Sequence, residues 1–340
     1  MKCTGRIHFS ILWCLVFFSC NSTSSENAKK EPNNPQTSEL SKISDEINKH
    51  PKDATLLFNR SKLYHSLKKD SLALNDLYSA IRVDSSKSGY YSAIADILFE
   101  HKDISGSVDW IQKAIKLNPD DETAHLKIAK IFLFTGEYPK AFTEINTVLR
   151  SNVYNAEAYF LKGMCYKNMK DSNKAISSFQ TAVQTDPKFV DGHMQLALIY
   201  KARNNPMAIS YFENAFKADS TNMEPLYGEG MFWQDQNKFE EAKKVFRRCI
   251  LINSSYEKSY YNIGWMLLQE DSTEKALRQF DMAISVKQDY VEAWFNRGLC
   301  NEILGKYEPA IADYDQALAF NPDYEPAKKA LQRAKQHLKK

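Results

Sequence analysis

Glycine and proline are scarce in this sequence, which has 11 of each among 340 residues. So few of them argue against an all-β fold built on many tight turns, and the abundance of Leu, Ala, Ile, Lys and Glu favours helices instead. Enzyme signatures are missing too, since the sequence has no P-loop, dinucleotide fingerprint, HExxH motif or nucleophile elbow. The sequence therefore predicts a helical protein that is not an enzyme and that holds no cofactor or metal.

Neither sign of charge dominates, because 45 basic and 42 acidic residues leave a net charge of +3. A nucleic-acid-binding protein concentrates basic residues on one face, and the sequence has no long basic run. Nucleic acid is therefore not an expected partner. The histidines are scattered as well, and His125 and His193 stand where an aromatic residue recurs in the repeat described below. We interpret both as packing residues rather than metal ligands.

Long apolar runs are absent except for one near the start, where Lys2 and Arg6 precede FSILWCLVFFS at 9–19. This run has the length of a signal-peptide core and is too short to span a bilayer comfortably. The end of the run, with Ser19 before Cys20, resembles the lipobox of bacterial lipoproteins, although Phe17 replaces the usual Leu. The resemblance implies a signal peptide at 1–19 and a lipid on the thiol of Cys20, with plain secretion and an uncleaved anchor as the alternatives.

The segment after the leader carries Ser, Asn, Pro and charge, and from 21 to 38 its one apolar residue is Ala28. Such a composition cannot bury a core, so residues 20–37 are predicted to be a disordered, lipid-anchored tether to the membrane. Asn21 rather than Asp follows Cys20, a pattern associated with onward transport to the outer membrane, and no acid-rich run follows. The expected location is the bacterial cell envelope, as an outer-membrane lipoprotein that faces the periplasm.

Cysteine contributes little to the folded part, because three of the six cysteines lie at or before residue 20. The others, Cys165, Cys249 and Cys300, are odd in number and show no CxxC spacing. A disulfide or metal framework would need paired, closely spaced cysteines. We expect three free, buried thiols that act as small packing residues.

A period of 34 residues runs through the remaining sequence. The segment 190–222 holds 33 residues, because the turn at Asn204 to Pro206 is one residue shorter than its counterparts. The predicted units are 54–87, 88–121, 122–155, 156–189, 190–222, 223–256, 257–290 and 291–324.

Two positions of the unit, counted from its first residue, recur most clearly. A small residue stands at position 8 in every unit: Ser61, Ala95, Ala129, Gly163, Ala197, Gly230, Gly264 and Gly298. A large apolar residue stands at position 24, allowing for the short turn: Leu77, Ile111, Ile145, Phe179, Phe212, Phe246, Phe280 and Tyr314. Small residues at a fixed point mean that two helices approach closely there, since overpacking costs about 1–3 kcal/mol.

This pattern resembles the tetratricopeptide repeat over residues 54–324, with Ala at positions 20 and 27 and proline at 32 as further matches. The resemblance implies an all-α fold, a right-handed α-solenoid of about eight helix-turn-helix units. Residues 38–53 and 325–340 are then expected to be capping helices that cover the ends of the array.

In such repeats, positions 2, 5, 9 and 12 of the first helices line a concave groove, which the resemblance implies as the binding site for protein or peptide partners. Positions 5 and 9 of units four to eight are apolar: Phe160, Met164, Met194, Leu198, Tyr227, Met231, Tyr261, Trp265, Phe295 and Leu299. A continuous apolar face indicates a partner. The alternative is that these side chains are part of the packing and are buried by the array itself.

Four other functions stay open or are disfavoured. The groove could take a glycan stacked on its aromatic rings, with Glu224, Lys258, Gln234 and Glu302 as polar contacts, or it could mediate self-association, so the oligomeric state is not predicted. The groove that captures a chaperone's C-terminal carboxylate is not expected, because Phe58 and Lys62 replace the Lys and Asn that it needs. The sequence also lacks a continuous asparagine ladder at position 6, so a resemblance to the sugar-transferase arrays is not expected.

Overall fold

The structure, a computed structural model, describes residues 35–338 of the chain. The predicted signal peptide, Cys20 and most of the predicted tether lie outside this range. Residues 35–338 contain eighteen helices and no strand. The prediction of an all-α fold of repeated helix-turn-helix units is confirmed.

The described residues divide into two compact units, with the boundary between Ser85 and Ser86. The described part of the first unit contains three helices: α1 (Pro35–Lys49), α2 (Ala54–Ser66) and α3 (Asp70–Val83). The first of them begins three residues before the start at residue 38 that composition suggested. Proline at the start of a helix costs nothing, since its missing N–H has no helical partner there.

Two polar contacts stabilise helices α2 and α3: one caps the start of α2, and the other joins the two helices. Asp53 caps α2, because its carboxylate accepts hydrogen bonds from the N–H groups of Thr55 and Leu56 at 2.8 and 3.0 Å. The guanidinium of Arg60 on α2 donates two hydrogen bonds of 2.7 Å to the carboxylate of Asp76 on α3. A paired, two-pronged contact of this kind fixes orientation as well as distance.

The second unit contains fifteen helices within its described residues, paired by short turns. They are α4 (Ser88–Glu100), α5 (Ile104–Leu117), α6 (Glu122–Phe134), α7 (Tyr138–Ser151), α8 (Ala156–Asn168), α9 (Ser172–Thr185), α10 (Val190–Ala202), α11 (Met207–Ala218), α12 (Glu224–Asp235), α13 (Phe239–Ile252), α14 (Glu257–Gln269), α15 (Thr273–Val286), α16 (Val291–Ile303), α17 (Tyr307–Phe320) and α18 (Glu325–His337).

The turn inside each helix pair depends on one left-handed residue at position 15. Gly136 and Gly305 adopt φ of 79° and 72° there, and other units use Lys, Asn or Asp at the same point. Glycine reaches this region at no steric cost. This explains why units three and eight share a glycine at the start of the sequence Gly-x-Tyr, at Gly136 and Gly305. Asn204 has φ of 51°, so the shortened turn keeps its left-handed residue, and α11 begins late, after Pro206.

The two helices of a pair approach each other at the predicted small residue. A methyl group built on Gly163 would lie 2.6 Å from the ring of Phe179, and one on Gly230 would lie 2.5 Å from the ring of Phe246. These glycines stand at position 8 and the rings at position 24. The rings of Phe179, Phe212, Phe246, Phe280 and Tyr314 have no exposed surface. A small residue at position 8 packed against a large buried side chain at position 24 is therefore the contact that the units repeat, and in units four to eight that side chain is an aromatic ring.

The C-terminal end carries a buried polar cluster. Arg297 donates to both carboxylate oxygens of Asp313, and the amide of Asn301 donates to Asp313 at 2.9 Å. Position 11 holds a large apolar residue in the other seven units: Tyr64, Leu98, Phe132, Tyr166, Tyr200, Trp233 and Leu267. Asn301 takes that position in unit eight, and its hydrogen bond to Asp313 gives the reason. Helix α18 packs its alanines against Tyr314, and Arg333 of that helix pairs with Glu302 at 2.5 and 2.8 Å.

We predict that Gly230→Ala lowers the stability of the chain by about 1–3 kcal/mol, because the new methyl group would overlap the ring of Phe246. In an uncrowded helix the same substitution raises stability by about 1 kcal/mol, so the sign of the change reports on the contact. Urea unfolding followed by circular dichroism measures it. Ser210→Ala, on an exposed face of α11, should change stability little, and a Gly230→Ala chain as stable as the parent would contradict the packing described.

Candidate functional site

The predicted binding residues lie on the first helices of repeats four to eight. These ten side chains, here called the apolar strip, belong to α8, α10, α12, α14 and α16: Phe160, Met164, Met194, Leu198, Tyr227, Met231, Tyr261, Trp265, Phe295 and Leu299. None of them is fully buried. Nine are half-buried, and Leu198 is 43% exposed. The strip thus combines the two interpretations, because its side chains pack partly against the array and keep part of their surface open.

The aromatic residues at position 5 pack in a repeated way. Tyr261 lies between the rings of Phe280 and Tyr290, with centroid distances of 5.7 and 5.1 Å. The same arrangement holds three further rings, with the first partner at position 24 and the second at position 34: Phe160 between Phe179 and Phe189, Tyr227 between Phe246 and Tyr256, and Phe295 between Tyr314 and Tyr324. Each ring is therefore held by two neighbours.

The aromatic residues at position 34 are a part of the site that sequence reasoning missed. Phe189, Tyr256, Tyr290 and Tyr324 close units four, six, seven and eight. Their recurrence at the last position of the unit was a readable signal, but it stands outside the helices that line the groove. Each of them lies beside a strip ring at position 5, so the rings at position 34 extend the aromatic surface of the strip.

Two residues of the strip at position 9 also contact the core. The indole of Trp265 meets Phe239 edge to face at a centroid distance of 5.9 Å. Met231 and Trp265 both pack against the buried cluster that contains Phe246 and Met266. Large polar replacements at these two positions would therefore disturb folding as well as any binding. Leu198 is the strip residue best suited to test binding alone.

A series of hydroxyl and amide groups accompanies the strip in the last three units. The amide of Asn296 donates to the hydroxyl of Tyr261 at 3.1 Å and to the carbonyl of Glu292 at 2.8 Å. Asn262 makes the same pair of contacts, to Tyr227 at 3.4 Å and to the carbonyl of Lys258 at 2.8 Å. Burial raises the pKa of Tyr261 to about 12. The hydroxyl thus stays neutral and can donate or accept a hydrogen bond at physiological pH.

The polar groups that a glycan would need are already engaged within the array. Glu224 accepts from Lys258 at 2.7 Å and from Tyr256 at 3.0 Å. Glu302 accepts from Tyr314 at 2.7 Å and pairs with Arg333. Of the four residues considered for sugar binding, Gln234 is the one whose side chain is not engaged in these contacts. The geometry therefore favours an apolar ligand over a sugar.

The two histidines at position 4 are positioned by the chain itself. The Nε2 of His125 donates to the carbonyl of Pro119 at 2.9 Å, and that of His193 donates to the carbonyl of Pro187 at 3.0 Å. Tyr260 and Trp294 stand at position 4 of later units and reach the equivalent carbonyls of Ser254 and Gln288. Position 4 thus ties units three, five, seven and eight to the preceding turn. Residues 35–338 contain no group of three or more His, Cys, Asp or Glu arranged to hold a metal ion.

Family models for the tetratricopeptide repeat match the sequence at three places. One model matches residues 156–189 and 291–324, and a second matches residues 226–256. These ranges carry the helix pairs that start at α8, α16 and α12 and that contain the glycine-to-ring contacts. The chain is a tetratricopeptide repeat protein. Tetratricopeptide proteins are generally non-enzymatic scaffolds that bind protein or peptide partners.

Comparison with known proteins agrees with this family. A stretch of 191 residues is 24% identical to human DnaJ homolog subfamily C member 7, over 50% of this chain and 38% of that protein. The type IV pilus assembly protein PilF of Pseudomonas aeruginosa is 29% identical over 87 residues, 25% of this chain and 34% of that protein. This tetratricopeptide chain thus spans little more than a third of either relative.

Among solved structures, the C-terminal part of a tetratricopeptide repeat-containing protein from Cytophaga hutchinsonii superposes with a TM-score of 0.56. It is 18% identical, and the alignment covers 70% of this chain and 98% of that chain. Identity at this level shows the shared fold alone. None of the helices in residues 35–338 is both long enough and apolar enough to cross a membrane.

The three cysteines of the tetratricopeptide units are free and fully buried, as predicted. Cys249 has no exposed surface and packs in a cluster with Leu226 and Val245. Burial raises the pKa of Cys165 and of Cys249 to about 11, and that of Cys300 to about 12. Because the thiolate is the reactive form, these thiols are protected twice, by burial and by protonation.

We predict that a thiol-alkylating reagent at about pH 8 leaves Cys165, Cys249 and Cys300 unmodified in the folded chain and modifies all three in urea. Mass spectrometry of tryptic peptides measures each site separately. Rapid labelling of Cys249 in buffer would contradict its place in the core.

Proposed function

We propose that this chain is a lipid-anchored adaptor of the bacterial cell envelope that holds an apolar or aromatic segment of a partner protein against the apolar strip. Membership of a family of non-enzymatic scaffolds supports the adaptor part. On this proposal the protein has no catalytic activity of its own. Its work is to bring the partner to the membrane that carries the anchor.

The observation that carries the proposal is the half-burial of the strip. Five successive first helices each present two apolar side chains, and none of the ten is fully covered within residues 86–338. A row of exposed apolar groups in one protein is uncommon unless a partner covers it. The rings are also fixed by two aromatic neighbours each, so binding costs little side-chain entropy.

The tyrosine hydroxyls and asparagine amides give the strip a polar component that suits a peptide. Tyr261 and Tyr227 each receive a hydrogen bond from an asparagine, so the proton of each hydroxyl is free to point to a ligand. A peptide segment offers backbone carbonyls at regular intervals. The combination of apolar contact and hydroxyl donors is typical of peptide-binding grooves.

The envelope location rests on the leader sequence. The apolar run at 9–19 and the lipobox-like end at Cys20 support export and acylation. The relative PilF of Pseudomonas aeruginosa is named as a type IV pilus assembly protein, which is compatible with work at the envelope. We place the anchor in the outer membrane, facing the periplasm, because Asn21 follows Cys20.

We predict that a photocrosslinking amino acid placed at Leu198 captures a distinct partner protein in cells that make the full-length chain. The side chain at 198 is 43% exposed, so the probe fits without disturbing the core. Capture should fall strongly when Tyr261→Ser is combined with the probe, because the apolar contact and the hydroxyl are both removed. Mass spectrometry of the crosslinked product identifies the partner.

The matched control places the same probe at Asn214, an exposed residue of the second helix α11. Crosslinking at Leu198 but not at Asn214 supports binding on the strip. Equal labelling at both positions contradicts it. A product with twice the mass of the chain assigns the strip to self-association instead, which light scattering of the purified protein would then show.

The anchor is tested by a separate prediction. Cys20→Ser should abolish incorporation of an alkyne-bearing fatty acid and release the protein from the membrane fraction, because the acylated thiol is then missing. Cys165→Ser is the control, since its thiol is buried in the folded chain. Fatty-acid labelling that persists in the Cys20→Ser chain would rule out the lipoprotein part of the proposal.

A further inference from the structure

A cavity of about 590 Å³ lies on another face of the array, lined by residues of α13, α14 and α15. Its apolar part consists of Ile250, Ile263, Leu267 and the ring of Tyr260. These residues of α14 stand at positions 4, 7 and 11, whereas the strip residues Tyr261 and Trp265 of the same helix stand at 5 and 9. Residues one apart on a helix point about 100° away from each other, so the cavity and the strip are separate surfaces.

Charged side chains form the rest of the lining, which we call the basic cleft. Four are cationic, Lys243, Arg247, Lys275 and Arg278, and two are carboxylates, Glu240 and Glu270. The lining therefore carries an excess of two positive charges. Its volume is in the range of small-molecule sites, about 300–1,000 Å³.

One of the four cations is shared by both carboxylates, and these three groups together carry a charge of −1. Lys243 is 3% exposed, and its Nζ lies 2.6 Å from Glu240 and 2.7 and 2.9 Å from the two oxygens of Glu270. Burial alone would lower the pKa of Lys243, but the hydrogen bonds to Glu240 and Glu270 outweigh it and raise the pKa. The ammonium has three protons, and all three have a carboxylate partner.

The other three cations have no such partner. Among residues 35–338, Arg247, Lys275 and Arg278 form no ion pair and no side-chain hydrogen bond, and all three are exposed. Glu240 also attracts Arg247, but two carboxylates against four cations still leave the lining with an excess of two positive charges. Three unpaired cations facing one cavity attract an anion.

The convergence of cations is particular to this place in the array. Arg247 stands at position 25 of unit six, and Lys275 and Arg278 stand at positions 19 and 22 of unit seven. In the other neighbouring pairs of units two to eight, the equivalent three positions never hold more than one basic residue. In the next pair, for example, they are Asp281, Pro309 and Ala312. The repeat fold does not require these cations, so their presence calls for a ligand.

Unit four has a cavity at the corresponding positions, and it carries fewer cations than the basic cleft. Its volume is about 240 Å³, and its lining holds two lysines, Lys162 and Lys174. Lys174 is already paired with Asp171 at 3.0 Å. Within residues 35–338, that cavity thus has one cation without an ion pair, Lys162, whereas the basic cleft has three.

We propose that the basic cleft binds the dianionic phosphate group of a small phosphate ester. Arg247 and Arg278 contact the phosphate oxygens through their planar guanidinium groups, which match oxyanions in a two-pronged manner, and Lys275 adds a third positive charge. The cavity is larger than a phosphate alone, so the group attached to the phosphate packs on Ile250, Ile263 and Leu267. The site is independent of partner binding on the apolar strip.

The test is calorimetric titration of the full-length protein with phenyl phosphate and with inorganic phosphate. Phenyl phosphate should bind saturably and several-fold more tightly than inorganic phosphate, because its ring reaches the apolar floor. Arg247→Gln and Arg278→Gln should each weaken binding about tenfold or more, the usual effect of losing a charge-assisted hydrogen bond. Both arginines are exposed, so circular dichroism should show no loss of folding.

Lys244→Gln is the matched control, because Lys244 is an exposed residue of α13 outside the lining of the cavity. It removes the same charge and should leave affinity unchanged within about twofold, as expected for a charge screened by salt. The proposal is overturned if the parent protein shows no saturable binding of phenyl phosphate, or if Lys244→Gln weakens binding as much as Arg278→Gln does.

A second arm identifies the source of the phosphate. Flotation of the Cys20→Ser chain, which lacks the proposed anchor, with vesicles that contain phosphatidic acid, compared with vesicles of neutral lipid, detects recognition of a lipid headgroup. Flotation that depends on Arg278 assigns the cleft to a lipid phosphate. Binding of phenyl phosphate without flotation assigns it to a soluble ester.

Discussion

The contact between a small residue at position 8 and a buried ring at position 24 is the constraint on which repeats four to eight depend. Gly230 and Phe246 approach so closely that even a methyl group has no room. Because the ring is fully buried, it cannot move aside without opening the core. The distance between the paired helices is thereby set, and repetition of the contact places the first helices of units four to eight side by side. The apolar strip is a consequence of that packing.

The same contact explains why the strip is half-buried. Each ring at position 5 of units four, six, seven and eight rests on the ring at position 24 of its own unit and on the ring at position 34. The interpretation of the strip as packing therefore accounts for part of the surface of each ring, and its interpretation as a binding face stays a prediction. A surface held by the core is rigid, and rigid apolar surfaces bind with a small loss of conformational entropy.

Periodicity made much of this fold predictable. The helical class, the short turn at Asn204 and the buried free state of Cys249 all followed from positions in a 34-residue unit. Position-dependent features were readable because the same neighbour recurs in every unit. Features that depend on a residue departing from the repeat pattern could not be predicted from the sequence. Asn301 looked like a defect until Asp313 appeared beside it, and the basic cleft unites residues from two units that no local pattern connects.

Function in such an array is expected where a residue departs from what packing requires. Packing constrains positions 8, 20 and 24 in each unit, so these positions carry little information about a ligand. Arg247, Lys275 and Arg278 occupy positions that packing leaves free, and among residues 35–338 they form no ion pair, whereas Lys243 nearby is paired with two carboxylates. Helix α14 thus presents apolar rings to one surface and lines a charged cavity on another. One helix can serve two different ligands because the repeat fixes its backbone and leaves its other faces free to vary.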